Sequence, residues 1–332
     1  MTVTLAPTRR DVLFEDGTAK LYRFPRDPDS LVARSDKAPG PAVLLVPSLI
    51  NRWFVLDLRA GASVVEALSA AGLDVFCLDW GEPNDEDRFL TWDNLVARLG
   101  RFVRRTCREA DVPRIGLLGY CIGGTLSAIH TAIEPERIGA FVNLAGPIDF
   151  DHAGFLGHMT NPRWFDPESI ASAGNMGASQ MQAGFTALRP TAQIAKMVGY
   201  LDKLSDPERL DALSALDTWA SDNIAFPAAA YVRYIKNLYQ ENELVRGTHR
   251  VLGKPALLSN IACPVLTVTT TKDVICPPKA ALALNALVGS GDVSEIAIPG
   301  GHVGAVVGEK AKTLLYPKIA EFFRRTECNS IN

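Results

Sequence analysis

Leu117-Leu118-Gly119-Tyr120-Cys121-Ile122-Gly123-Gly124-Thr125 has the pattern of a strand, a sharp turn and the start of a helix. The apolar run Arg114–Leu118 predicts a buried strand, and a helix is predicted from near Gly123. Such a turn holds its central residue in a strained conformation, so the flanking positions must be small, as Gly119 and Gly123 are. The stretch therefore predicts a nucleophile elbow that lifts the Cys121 side chain clear of a sheet.

The residue at the centre of this turn is a cysteine, where serine is usual. Partial positive charge at the start of the following helix favours a thiolate over a thiol at Cys121. A cysteine in this position points to thioester chemistry. The alternative is a buried core cysteine, because a Gly-x-Cys-x-Gly string arises by chance and free cysteines are common in cores.

The composition indicates a large globular α/β protein. The 332 residues are 47% hydrophobic and 21% charged, which suits one large domain with an insertion, or two domains. The formal net charge is -3 and charges are spread along the chain, which argues against nucleic-acid binding. No apolar run approaches the roughly 18 residues of a membrane-spanning helix, and Met1–Arg10 lacks the apolar core of a signal peptide.

The cysteines and histidines show no metal-binding spacing. The six cysteines are scattered, with no C-x-x-C pair and no histidine cluster. We therefore expect reduced thiols, no bound metal and a cytoplasmic location.

Strands and helices are predicted to alternate along most of the chain. Buried strands are predicted over Ala42–Pro47, Leu73–Asp79, Ile138–Ala145, Val265–Thr270 and Ser294–Ile298. Helices are predicted over Gly61–Ala71, Thr91–Glu109, Pro278–Val288 and Leu314–Arg325. This alternation predicts an α/β fold with a mostly parallel central sheet and helices on both of its faces.

A helical cap is predicted to interrupt this core. Residues 151–254 contain no clear buried strand, and short helices are predicted over Thr191–Leu204, Pro207–Ala215 and Pro227–Asn242. The prediction is an N-terminal extension with edge elements over 1–40, a core over 41–150 and 255–332, and a cap over 151–254.

A thiol at an elbow needs a base, and the base needs an orienting acid. On this type of fold the acid and then the histidine follow the nucleophile, each on a loop after a late strand. Asp273 directly follows the strand predicted to end at Thr270, and His302 follows the strand predicted to end at Ile298. Asp273 alone could cap a helix or form a turn, and His302 alone could be a loop histidine. Their order after Cys121 favours a Cys121, His302, Asp273 triad.

The remaining histidines are weaker candidates for the base because none follows a late strand. They are His130, His152, His158 and His249.

Two backbone N–H groups are expected to form an oxyanion hole. One belongs to Ile122, the residue after the nucleophile, and the other to the loop Pro47–Arg52. We favour Leu49 in that loop, with Ile50 as the alternative. The loop could also be a simple connection between a strand and a helix.

Motifs along the chain together suggest a family. They are Val46-Pro47-Ser48-Leu49-Ile50-Asn51-Arg52, Leu78-Asp79-Trp80-Gly81-Glu82-Pro83, Gly119-Tyr120-Cys121-Ile122-Gly123-Gly124, Trp219-Ala220-Ser221-Asp222-Asn223, Leu238-Tyr239-Gln240-Glu241-Asn242, Lys272-Asp273 and Gly300-Gly301-His302-Val303-Gly304. With these motifs the chain, from about Pro41 to Phe323, resembles the catalytic subunit of polyhydroxyalkanoate synthases, most closely the two-component class III type.

The resemblance implies an α/β-hydrolase fold with Cys121 as nucleophile, His302 as base and Asp273 as its acid partner. It implies polymerisation of (R)-3-hydroxyacyl-CoA into polyester, with acyl-CoA as substrate and no cofactor. It further implies a second, non-catalytic synthase subunit, a homodimer and a place at the polyester granule surface. The sequence departs from the family at Ile122, where glutamine is common, and at Val274, where histidine is common.

Two alternative functions stay open from the sequence. The first is a Cys-dependent thioesterase or small-molecule acyltransferase on the same fold, since the predicted cap diverges more than the core. The second is a non-catalytic granule-associated subunit, against which the intact set Cys121, Asp273 and His302 argues.

Overall fold

A computed structural model describes residues 4–25, 40–188 and 206–326, and these contain an eight-stranded central sheet. Its strands are β1 (Asp11–Asp16), β2 (Ala19–Phe24), β3 (Ala42–Val46), β4 (Asp74–Asp79), β5 (Ile115–Tyr120), β6 (Ile138–Leu144), β7 (Val265–Thr270) and β8 (Val293–Ile298). Their order across the sheet is β1-β2-β4-β3-β5-β6-β7-β8. Strands β3 to β8 are parallel, as predicted, whereas β1 and β2 form an antiparallel hairpin at the edge beside β4.

The helices that connect strands β3 to β6 lie on both faces of the sheet. They are α1 (Val64–Ala70), α2 (Trp92–Ala110) and α3 (Ile122–Ile133). The predicted bounds of α2 differ from these by one residue at each end, because capping groups mark both ends. Thr91 and Asn94 form a capping box at its start, and Asp111 adopts a left-handed conformation at its end.

Between β6 and β7 the chain is mostly helical. The helices there are α4 (Gly154–Met159), α5 (Pro167–Ala171), α6 (Ala178–Leu188), α7 (Pro207–Ser221), α8 (Ala228–Arg233) and α9 (Glu243–Arg246), and a π-helical stretch, Tyr234–Gln240, follows α8. In the part of this interval that the structure describes, no strand joins the central sheet. We call residues 150–246 the helical segment. The predicted helix Thr191–Leu204 lies outside the described residues, and α7 extends beyond its predicted end at Ala215.

The last helices complete the two faces of the sheet. They are α10 (Pro278–Leu287), α11 (Gly304–Val307) and α12 (Tyr316–Arg325). Side chains alternate across each strand, so Leu44 and Val46 pack in a core with α2 and α3, whereas Val43 and Leu45 pack in a core with α1 and α12. Within the described ranges, no helix has the length and apolar character needed to cross a membrane.

The parallel strands bring the predicted site residues to one edge of the sheet. Cys121 follows the carboxyl end of β5, Asp273 follows that of β7, and His302 follows that of β8. Carboxyl ends of parallel strands share an edge, which is where ligands usually bind in such sheets.

Candidate active site

Cys121 occupies the predicted elbow between β5 and α3. Its backbone has φ 57° and ψ −132°, in the positive-φ region that a non-glycine residue rarely adopts. The Cys121 N–H donates to the Leu144 carbonyl at 3.0 Å, and the Cys121 carbonyl accepts from the Gly124 N–H at 2.8 Å. These bonds hold the strained turn, and the thiol is partly exposed.

The two flanking glycines allow α3 to approach the sheet closely. A Cβ atom on Gly119 would lie 2.5 Å from the Gly123 carbonyl oxygen, and a Cβ on Gly123 would lie 2.3 Å from the Val46 carbonyl oxygen. The requirement for small residues at both positions is therefore confirmed.

Asp273 and His302 form a direct, buried pair. His302 Nδ1 lies 2.7 Å from Asp273 Oδ2, and the side chains of both residues are almost fully buried. Thr270 Oγ1 donates to the same carboxylate oxygen at 2.9 Å, while the N–H groups of Ile275 and Cys276 donate to Oδ1, each at 2.9 Å. The carboxylate therefore has a fixed orientation and directs the imidazole.

The surroundings shift the pKa values of both partners. Burial alone would raise the pKa of Asp273, but hydrogen bonds from His302, Cys276 and Thr270 hold it below its usual value. Burial alone would lower the pKa of His302, but the neighbouring Cys121 and Asp273 outweigh this and raise it. The arrangement thus favours the protonated, imidazolium form of His302.

The second nitrogen of His302 is available for the thiol. Nε2 is buried and has no nitrogen or oxygen partner among the described residues. The ring stacks on Tyr120 with centroids 5.2 Å apart and planes inclined by 29°, and Cys121 interacts with the imidazole. Tyr120 was not predicted as a site residue, although its position before the nucleophile placed it within reach.

Cys121 lies where two cavities meet. The first, which we call the histidine cavity, has a volume of about 410 Å³ and is lined by Cys121, His302, Ser48 and Asn51 from the core. The second, which we call the apolar cavity, has a volume of about 210 Å³ and is also lined by Cys121. The helical segment contributes Trp219 and Asn223 to the histidine cavity and Met176, Met181 and Phe226 to the apolar cavity.

Side-chain amides form a chain along the histidine cavity, which sequence reasoning did not identify. Asn51 Nδ2 donates to Asn223 Oδ1, and Asn223 Nδ2 donates to Gln182 Oε1. Asn51 and Asn223 both belong to motifs singled out in the sequence, but their separation of 172 residues concealed the contact.

The structure discriminates between the two predicted oxyanion donors of the loop after β3. The Ile50 N–H already donates to Ser48 Oγ at 3.2 Å. Within the described residues, the N–H groups of Leu49 and Ile122 make no hydrogen bond. Leu49 is therefore better suited than Ile50, and the role of Leu49 and Ile122 as oxyanion donors stays a prediction.

The other histidines lie away from the two cavities, considering the chain as far as it is described. His130 is buried with neither ring nitrogen bonded to another described residue, and burial lowers its pKa to about 3. His249 pairs with Glu243 at 2.9 Å, and His152 pairs with Asp149 at 2.8 Å. His158 packs against Phe155 and Trp164. Three or more metal-ligating side chains gather nowhere among the described residues.

Comparison with known proteins identifies the fold family. A family model described as "alpha/beta hydrolase fold" matches residues 41–308, so the chain belongs to this family. Est1E from Butyrivibrio proteoclasticus superposes with a TM-score of 0.55 at 14% identity, covering 96% of this chain and 98% of that one. A thioesterase domain from the curacin biosynthetic pathway superposes with a TM-score of 0.54 at 12% identity, covering 94% and 98%.

Curated relatives are similar over nearly the whole chain. The poly(3-hydroxyalkanoate) polymerase subunit PhaC of Synechocystis is 30% identical, with 95% of this chain and 84% of that protein aligned. The subunits of the same name from Allochromatium vinosum and Haloarcula marismortui are 29% and 28% identical, covering 94% and 99% of this chain and 87% and 70% of theirs. The chain therefore belongs to the poly(3-hydroxyalkanoate) polymerase family and is an acyltransferase, as the sequence predicted.

Proposed function

We propose that this member of the poly(3-hydroxyalkanoate) polymerase family transfers acyl groups from (R)-3-hydroxyacyl-CoA to a growing polyester, through a thioester formed on Cys121. The observation that carries the proposal is the 2.7 Å contact between His302 Nδ1 and Asp273 Oδ2, at a cavity that Cys121 also lines. Because Asp273 binds Nδ1, Nε2 of His302 is the atom that exchanges protons with the Cys121 thiol and with the acceptor hydroxyl group.

The first half-reaction acylates the enzyme. His302 Nε2 takes the thiol proton of Cys121, and the thiolate attacks the thioester carbonyl of the acyl-CoA. The N–H groups of Ile122 and Leu49 stabilise the oxyanion, and loss of one such donor typically costs about 2.7 to 4 kcal/mol of barrier. The bond to the CoA sulfur then breaks, and the imidazolium returns the proton to that sulfur.

The second half-reaction forms the ester. His302 Nε2 takes the proton of a 3-hydroxyl group, whose oxygen attacks the Cys121 thioester. The cysteine sulfur leaves and regains the proton from His302, so one thioester has been exchanged for one ester. Acylation exchanges one thioester for another at nearly equal energy, which suits a cysteine nucleophile.

The proposal includes partners that follow from family membership. The relatives are named as polymerase subunits, which supports a second, non-catalytic subunit for this chain. A homodimer working in the cytoplasm at the surface of a polyester granule completes the proposal.

The test is Cys121-dependent polymer formation. Wild-type protein and Cys121→Ala are given (R)-3-hydroxybutyryl-CoA and (R)-3-hydroxyoctanoyl-CoA, and CoA release and product mass are measured. We expect high-mass polyester from the wild type and a loss of at least about 1000-fold in Cys121→Ala. Cys263→Ala is the matched control, because Cys263 is a partly exposed cysteine that lines neither cavity.

Three results would contradict the proposal. Cys121-dependent release of free acid or small esters alone identifies a thioesterase or small-molecule acyltransferase. CoA release that persists in Cys121→Ala shows that Cys121 is not the nucleophile. No release, with or without the second subunit of a relative, argues against catalysis of this reaction.

A further inference from the structure

We infer that the apolar cavity holds the acyl chain and selects (R)-3-hydroxyacyl groups of medium length, about six to ten carbons, over four-carbon groups. The inference rests on the proposed function, because it assigns the substrate class of the same nucleophile. Cys121 lines this cavity directly, so the chain of an acyl group bound to its sulfur can extend into it.

The walls of the apolar cavity suit an aliphatic chain. Among the described residues, no charged side chain lines it. Two of its polar side chains are already engaged, since Thr160 Oγ1 donates to the Leu156 carbonyl at 2.8 Å and Gln180 Oε1 accepts from the Gly177 N–H at 2.8 Å. Methionines 159, 176 and 181 supply flexible apolar surface that adapts to chains of different length.

The size of the apolar cavity argues for a chain longer than four carbons. Its volume is about 210 Å³, whereas an apolar cavity of about 150 Å³ holds the six carbons of benzene. A four-carbon 3-hydroxyacyl group has one methyl beyond its hydroxyl-bearing carbon and would leave most of this space empty. Each further methylene buried there should strengthen binding about fourfold.

The residue after the nucleophile contributes to this apolar character. Ile122 is 1% exposed and its side chain lines the apolar cavity. Glutamine, common here in the family that the sequence resembles, would place an amide group in this space, and an unpaired buried amide is unfavourable. The departure at Ile122 therefore extends the apolar wall up to the reacting sulfur.

A glycine inside α6 keeps the space open. Gly184 lines the apolar cavity, and a Cβ atom there would meet no other atom within 4 Å. Glycine weakens a helix interior relative to alanine, so its presence costs helix stability while leaving the cavity unfilled. A large side chain at this position can enter the cavity without a clash at its Cβ.

The experiment compares kcat/KM for CoA release from (R)-3-hydroxybutyryl-CoA and (R)-3-hydroxyoctanoyl-CoA. We expect the wild type to favour the eight-carbon substrate at least about tenfold. Gly184→Phe should lower this ratio about tenfold by filling the cavity, and Ile122→Gln should lower it by adding an amide. Ala183→Phe is the matched control, because Ala183 is exposed on the same helix and lines neither cavity.

Binding to Cys121→Ala separates this inference from the proposed reaction. Calorimetry should show octanoyl-CoA binding at least about tenfold more tightly than butyryl-CoA, with the advantage lost when Gly184→Phe is added. A preference for the four-carbon substrate, or a ratio unaffected by both Gly184→Phe and Ile122→Gln, overturns the inference. Preferential octanoyl-CoA binding without any CoA release by the wild type would support the chain-length assignment and reject the reaction.

Discussion

The α/β core and the helical segment meet at Cys121 and contribute different things to the site. Cys121, Asp273 and His302 all come from loops after parallel strands of the core. Backbone hydrogen bonds hold Cys121 and Asp273, and Asp273 in turn orients His302. The helical segment supplies cavity walls, with Trp219 lining the histidine cavity and Met181 lining the apolar cavity. The contrast suggests that changes in the core alter the reaction rate, whereas changes in the helical segment alter substrate fit.

The two regions are joined at the loop that follows β3. The Ile224 N–H donates to the Ile50 carbonyl at 2.9 Å, and Trp219 Nε1 donates to the Arg52 carbonyl at 2.9 Å. Leu49, the favoured oxyanion donor, lies in this loop. These hydrogen bonds therefore couple the position of the helical segment to the position of the Leu49 N–H group.

The largest difference in activity between the core and the helical segment is expected when one aspartate is changed in each region. Asp273→Asn should lower the rate of CoA release by about 100-fold to 10,000-fold, because the amide no longer orients His302 or stabilises its cation. Asp222→Asn in the helical segment breaks only an ion pair with Arg52 at 3.0 Å, and should leave the rate within about twofold. Equal losses in the rate of CoA release would contradict the different roles of the core and the helical segment.

The same Asp273→Asn variant should also lower the pH at which His302 loses its proton. Burial alone would lower the pKa of His302, whereas Cys121 and Asp273 raise it, so removal of the Asp273 charge lowers it. The imidazolium then loses its proton at lower pH in the variant than in the wild type. The NMR signals of the His302 ring nitrogens, followed through a pH titration of both proteins, measure this shift. An unchanged titration of His302 would contradict the electrostatic coupling between Asp273 and His302.

A second pair of variants compares one glycine in each region. Gly123→Ala in the core places a Cβ 2.3 Å from the Val46 carbonyl oxygen, so α3 or the loop after β3 must shift. We expect a loss of about 1 to 3 kcal/mol in the free energy of unfolding and at least tenfold in activity. Gly157→Ala in α4 meets only ordinary contacts, the nearest at 3.4 Å, and should be neutral or slightly stabilising in urea unfolding. A stable, fully active Gly123→Ala protein would contradict the close approach of α3 to the loop after β3.

A further prediction concerns the stability of the core at low pH. Burial lowers the pKa of His130 to about 3, below the value of about 6.5 in an unfolded chain. As pH falls below about 6.5, the unfolded state binds this proton first, so the free energy of unfolding decreases by about 2 kcal/mol at pH 5. His130→Leu lacks this loss. Urea unfolding near pH 7.5 and near pH 5 measures it, and an equal pH dependence in both proteins would contradict it.

The smallest expected effect lies at the contact between the two regions. Trp219→Phe removes the hydrogen bond to the Arg52 carbonyl and should lower the free energy of unfolding by about 1 kcal/mol. Trp164→Phe is the matched control, since Trp164 is 56% exposed in the helical segment. If the control variant lost as much stability as Trp219→Phe, the contribution of this hydrogen bond would be disproved.

Much of the core was predictable because its signals are local. Apolar runs of strand length located β3 to β8 to within three residues at each end, and the small residues around Cys121 indicated the elbow. The chain order of Cys121, Asp273 and His302 was sufficient to predict their meeting, since parallel strands place their following loops at one edge. The hairpin of β1 and β2 was not predicted beyond the presence of edge elements. Its place in the sheet depends on antiparallel pairing of β2 with β4, which follows much later in the chain.

The sequence by itself therefore determined the core fold, the elbow and which three side chains, those of Cys121, Asp273 and His302, come together, while their catalytic roles stay a prediction. Only the tertiary structure revealed the Asn51–Asn223 contact, the engaged Ile50 N–H and the two cavities that meet at Cys121. Strands and turns can be predicted from consecutive residues, because the hydrophobic period and the side-chain sizes of those residues indicate them. A cavity is bounded by side chains from distant segments, as Ile122 and Gly184 show, so its volume exists only once the helices have packed on the core.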